Sequence, residues 1–168
     1  MTRGEPRHSI LRRYLEDAIA AERNFETQLR EMAKEGDHLA AKLAFAQHAE
    51  ETHSQHQRLT KRLEELGGSP SGFKTVIAHL FHFAPKTAQL GHDQSEKATQ
   101  NLIIGFSVEN AEIAMYEALA SVAAAAGDLQ TERLAREIQQ EERRAASTIW
   151  HLITPCAQES YNKISEAA

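Results

Sequence analysis

With 168 residues the chain is long enough to bury the core of one domain, and 24 acidic against 19 basic residues give a formal net charge of −5. That balance argues against general nucleic-acid binding, which depends on neutralising phosphates, and no apolar run approaches the roughly 20 residues a membrane span needs. The lone Cys156 excludes an intrachain disulfide and a cysteine-built zinc site, and the polar start Thr2–His8 lacks the apolar stretch of a secretory signal, so a soluble cytoplasmic protein is expected.

Valine occurs three times, at Val76, Val108 and Val122, while Ala, Glu, Gln, Leu and Arg abound. Strand formers are scarce and helix formers plentiful, so the reading is all-α. The first helix is expected from about Ser9, a plausible N-cap, to Glu35, with Leu11, Leu15, Ala18, Glu22, Phe25, Leu29 and Met32 on one stripe. After Gly36-Asp37 a second helix runs to Leu66, with Phe45, His48, Thr52, His56, Leu59, Leu63 and Leu66 on one face. A link of roughly 25 residues, Gly67 to His92, follows; it contains the apolar piece Val76–Phe83 and can cross the length of a bundle. The third helix is expected from about Asp93 to Ala126 and is apolar over a wide arc. Past the break at Gly127-Asp128, the fourth runs to Thr154 with Leu134, Ile138, Glu142, Ala145, Ile149 and Leu152 aligned. Pro155 is expected to end it, with a short C-terminal helix beyond. Two short-turn hairpins joined by one long crossover form a ferritin-like four-helix bundle, here a single domain over residues 1–168 with its core at about 9–154.

An internal repeat agrees with this pairing. Ala21-Glu22 with Leu29 recurs as Ala111-Glu112 with Leu119, Glu50-Glu51 as Glu141-Glu142, and Gly36-Asp37 as Gly127-Asp128, at an offset of 90 or 91 residues.

Glutamates stand where apolar residues belong. Glu22 lies between Ala18 and Phe25, Glu112 between Val108 and Met115, and Glu142 between Ile138 and Ala145. Buried carboxylates without partners are costly, so these need counter-charges, and a metal supplies them most directly. Glu22 is 14 residues before Gly36, Glu51 is 14 after Asp37, Glu112 is 15 before Gly127 and Glu142 is 14 after Asp128. At 1.5 Å per residue all four stand about 21 Å from their turns, level at mid-bundle. Four such carboxylates would hold two cations such as iron or manganese. On the second helix His48-x-x-Glu51 could present two ligands, with Glu50 and His53 the competing pair, and His56 reads as a core histidine. Glu109, one turn before Glu112, is a fifth ligand or an acceptor behind the ligands, and Tyr116 could donate to a ligand carboxylate. His79 and His82 read as surface or packing residues, and nothing marks Cys156 as activated.

Ala21-Glu22, His48-Ala49-Glu50-Glu51-Thr52-His53-Ser54-Gln55, Glu109-Asn110-Ala111-Glu112-Ile113-Ala114-Met115-Tyr116 and Glu141-Glu142 resemble the motifs of the YciE/YciF-like stress-protein family of the ferritin-like superfamily, over about residues 10 to 154. The resemblance implies a ferritin-like bundle, a homodimer and a two-metal site. The sequence departs from the Glu-x-x-His that ferritins and rubrerythrins carry on the second helix of each hairpin: Ser54 follows Glu51 and Ala145 follows Glu142 at that spacing, and Asn110 stands where the family often has histidine. Two functions lead, ahead of a third, iron storage in a large cage, which would require a native mass of several hundred kDa. One is a di-metal redox protein acting on oxygen or peroxide under stress. The other is a non-catalytic, dimeric helical stress protein whose carboxylates are neutralised by Arg23, Arg143, Arg144 or water.

Overall fold

The computed structural model describes residues 5–69 and 94–167. Four long helices carry the fold: α1 (Glu5–Met32), α2 (Leu39–Glu65), α3 (Lys97–Ala126) and α4 (Leu129–Ala167), with a 3₁₀ turn at Gln94–Glu96 before α3. Most of the expected crossover, with Val76–Phe83, His79 and His82, lies outside the described residues.

The breaks fall where backbone chemistry demands them. Gly36 (φ 72°) and Gly127 (φ 77°) occupy the left-handed region at the two hairpin turns. Beyond Gly127 the Asp128 N–H bonds Ala123 O at 2.9 Å, and the Asp128 carboxylate accepts the Thr131 N–H at 3.0 Å to open α4. Arg62 from the end of α2 reaches Asp128 at 2.7 Å and ties that turn to the other hairpin. His38, not Asp37, caps α2, with Nδ1 accepting from Ala41 N–H at 3.3 Å.

Within each hairpin the helices pack closely, α1 on α2 and α3 on α4, and the hairpins meet chiefly through α1 against α3 and α2 against α4. The first-helix stripe is buried as read, from Leu11 to Met32. Two apolar clusters fill the bundle. One gathers Phe25, Leu29, Phe45, Leu102, Val108 and Ile149; the other gathers Leu11, Leu15, Leu59, Leu63, Leu119 and Ile138. Between them lies a belt of buried polar side chains.

Gly105 permits the approach of α3. A Cβ there would meet Phe45 Cε1 at 3.2 Å and Ile149 Cδ1 at 3.4 Å. Gly105→Val therefore overpacks this contact and is expected to destabilise the protein by about 1–3 kcal/mol, read from urea unfolding.

The expected stop at Pro155 is corrected: α4 continues through it to Ala167, without a separate fifth helix. Proline removes one backbone hydrogen bond and crowds the preceding turn, at a cost of about 3 kcal/mol. Tertiary contacts offset that cost. Cys156 and Ser160 are buried on the continued stretch, and Ser160 Oγ donates to Ser95 O at 2.6 Å. Glu159 lies 3.5 Å from His38, and Lys163 reaches Asp37 at 3.8 Å, so the segment straps the α1–α2 turn.

Candidate metal centre

All four helices contribute to the mid-height belt. α1 places Glu22 there, α2 His48, Thr52 and Gln55, α3 Glu109 and Glu112, and α4 Glu142, every one of them buried. Each sits three or four residues from an apolar neighbour on its own stripe, so the periodicity that builds the core also turns these groups inward.

His48 joins the carboxylates. Its Nε2 is 2.7 Å from Glu109 Oε1 and 3.6 Å from Glu142 Oε2, and its Nδ1 is 3.6 Å from Glu51 Oε2. Neither ring nitrogen makes a hydrogen bond, because the two 3.6 Å contacts are too long and the 2.7 Å contact to Glu109 is misaligned. Phe25 meets the imidazole edge-on at 6.0 Å between centroids. His48, Glu109 and Glu142 each offer a ligand atom, all within 4.8 Å of one another.

Two glutamates are held from one side only. The Tyr116 hydroxyl donates to Glu22 Oε1. Gln55 Nε2 donates to Glu142 Oε1 at 2.5 Å and to Glu141 Oε2 at 3.1 Å, while Arg58 pairs with Glu141. The remaining oxygens have no hydrogen-bond partner: Glu22 Oε2, both of Glu109, both of Glu112, and Glu142 Oε2. Six buried carboxylate oxygens without a hydrogen bond, of which Glu109 Oε1 alone has close ion-pair contact with His48 at 2.7 Å, are far outside ordinary practice, where buried polar groups are paired.

The charges respond accordingly. Burial pushes the Glu22 carboxyl up to about 8, against the Tyr116 hydrogen bond. Burial, then the neighbouring glutamates, pushes Glu112 and Glu142 well above the carboxylate range. Burial opposes the His48 charge, yet Glu109 and Glu51 outweigh it and carry the imidazole up to about 10. Without metal, burial thus favours the protonated forms of Glu22, Glu112 and Glu142, and the carboxylates around His48 favour its imidazolium. Four ionised glutamates beside a neutral imidazole would balance the charge of two divalent cations, and oxygen donors with one nitrogen suit iron or manganese. The residues present thus fit a two-metal group.

The predicted residues divide as follows. Glu22, His48, Glu109, Glu112 and Glu142 come together. Glu51, level with them by count, sits at the belt's edge with its side chain 37 % exposed and its Oε2 3.6 Å from His48 Nδ1. Glu50 points out and pairs with Arg30 at 2.8 Å. His56 is half-buried and off the seam; Gln55 takes that place, fully buried. Strict alternation of three- and four-residue steps from Phe45 through His48, Thr52, Gln55 and Leu59 would have found it. Arg23, Arg143 and Arg144 are exposed, and none pairs with a buried glutamate among the described residues. Cys156 is buried, which raises its thiol to about 11 and keeps it inert.

Among solved structures, a protein from Xanthomonas campestris pv. campestris str. ATCC 33913 is similar at TM-score 0.79 and 25% identity, covering 95% of this chain and 99% of its own. The E. coli stress protein YciF is similar at TM-score 0.79 and 23% identity, with 94% and 99% covered. The Desulfovibrio desulfuricans bacterioferritin, described with a diiron site, is similar at TM-score 0.69 and 18% identity, with 100% and 92% covered. No curated protein sequence matches. No helix among the described residues is long and apolar enough to cross a membrane. The fold is that of the ferritin-like bundles, as the resemblance implied, and the sequence family that matches residues 7–162 is described as a domain of unknown function, DUF892: the chain belongs to this family.

Proposed function

We propose that this is a di-metal carboxylate protein that holds iron or manganese and acts on oxygen or peroxide under stress. The observation that carries the reading is the set of six buried carboxylate oxygens on Glu22, Glu109, Glu112 and Glu142 that lack a hydrogen-bond partner. These four residues and His48 would hold the metal, with Glu51 behind His48. A bound pair of iron or manganese ions would supply one-electron chemistry toward oxygen or peroxide. The chain's own residues prepare the place. Tyr116 fixes one oxygen of Glu22, Gln55 fixes one of Glu142, and both hold their carboxylates by the oxygen they occupy. Phe25, Phe45, Leu15 and Ile138, above and below, keep bulk water out.

Metal content decides it. Untagged protein is loaded anaerobically with iron or manganese, desalted and analysed by mass spectrometry. About two metals per chain are expected, as in other carboxylate bundles, with most of them lost in Glu22→Ala and Glu112→Ala. A folded chain that retains no metal would overturn the reading. It would favour instead the non-catalytic stress protein, for which His48 already provides an internal cation beside Glu109. The homodimer implied by the resemblance belongs to either reading and is checked by sedimentation equilibrium.

A further inference from the structure

Away from the belt, α1 and α2 bring a second set of ligating side chains together. Glu26, His53 and His56 each offer one ligand atom within 4.8 Å of the others, and all three are half-buried. His53 Nδ1 is 3.2 Å from Glu26 Oε2. The two imidazole centroids are 6.2 Å apart. His56 Nδ1 is buried with no hydrogen-bond partner. The three lie on the flank where α2 faces α1: Glu26 is one turn beyond Glu22, and His53 and His56 are neighbours at a spacing of three.

We propose that Glu26, His53 and His56 form a second metal site that takes one borderline divalent ion, zinc being the representative. Two imidazoles with one carboxylate suit zinc and its neighbours in the transition series and suit calcium or magnesium poorly. Three protein ligands leave a position for water, in keeping with a half-buried flank. The surroundings already fix the ligands. Arg30 holds Glu26 Oε1 at 2.9 Å and leaves Oε2 toward His53. Gln57 Nε2 lies 2.9 Å from His53 Nε2 and orients that ring. Zinc at His53 Nδ1 needs the ring proton on Nε2, and Gln57 then turns its amide so that the oxygen accepts it. Burial and Arg23 hold the His56 imidazole below its ordinary value. The nearby cations are Arg23 and Arg30, and Arg30 is itself neutralised by Glu26 and by Glu50 at 2.8 Å. Zinc–nitrogen bonds of about 2.0–2.1 Å require only rotamer adjustments to draw these atoms together. The site stands whether or not the buried belt holds metal.

Zinc is the probe. Chelator-treated full-length protein is titrated with Zn²⁺ by equilibrium dialysis, alongside His53→Gln and His56→Gln, with the exposed His151→Gln as control. The wild type and the control are expected to bind one zinc per chain that the other two variants bind at least tenfold more weakly. Zinc held by the belt is counted separately in Glu112→Ala. On wild-type protein, nitrogen NMR of the imidazoles is expected to show the ring signals of His53 and His56 move together at one equivalent, and this arm does not depend on any variant folding. Equal stoichiometry and affinity in all four proteins, or unmoved His53 and His56 signals, would overturn the proposal.

Discussion

Glu112→Leu is expected to make the metal-free protein more stable while abolishing metal loading. Glu112 is fully buried, and neither carboxylate oxygen has a hydrogen-bond partner. Such a group costs its desolvation, whether it stays charged or takes up a proton to avoid charge. Leucine of similar reach removes the polar group and adds apolar contact beside Val108 and Tyr116. Replacing buried ionic groups with apolar ones stabilises proteins by about 1–4 kcal/mol where the packing accepts the change. For a chain of this size that raises the melting temperature by roughly 2–16 °C. Calorimetry of chelator-treated protein at pH 8 reads the effect. A fall in melting temperature would mean that Glu112 has a structural partner in the metal-free state, and the case for a vacated ligand would weaken. The general point is a trade between stability and function: a carboxylate that lowers stability is retained because something else uses it.

The second large effect is on pH. Metal-free protein is expected to lose stability steadily between pH 6 and pH 9. Glu22 has a folded-state value of about 8, against 4.5 for an ordinary glutamate. The folded state therefore holds a proton that the unfolded state has released, and stability falls as the pH rises from the lower value through the higher. Glu112 and Glu142 shift in the same direction, for the same reason of burial. His48, carried up to about 10, contributes stability that is complete below its ordinary 6.5 and is lost as the pH climbs toward the higher value. All four groups act with one sign, so their sum is on the order of several kcal/mol across the window. On the proposed reading, bound iron or manganese would replace those protons, so the stabilisation by metal should grow with pH. Melting curves at pH 6, 7.5 and 9, with chelator and with manganese, test both statements. A flat profile for the metal-free protein would mean that the belt carboxyls find counter-charges of another kind.

Periodicity made much of this legible. Every residue of the first-helix stripe is buried, the three misplaced glutamates are buried with it, and the hairpin turns fall at the glycines. What it missed has physical causes. Counting residues fixes height along a helix but not direction around it, so Glu51 stands level with the belt and still faces its edge. α3 is apolar over so wide an arc that its seam could not be drawn, and Glu109 read as an accessory when it is as buried as Glu112. On α2 an aromatic-looking histidine drew attention from a plain glutamine one residue earlier. The proline rule is local, and the burial of Cys156 and Ser160 with the bond to Ser95 overrode it.

The polar belt also partitions how the protein can change. The apolar residues on its two sides belong to separate clusters. Leu29 and Leu63 belong one to each cluster, so the effects of substituting them on stability should add. Either compartment can then drift in sequence, become larger or smaller in its side chains, and be repaired by neighbours of its own, with no carboxylate displaced. Stability can evolve at the two ends of the bundle while the chemistry at its waist stays as it is.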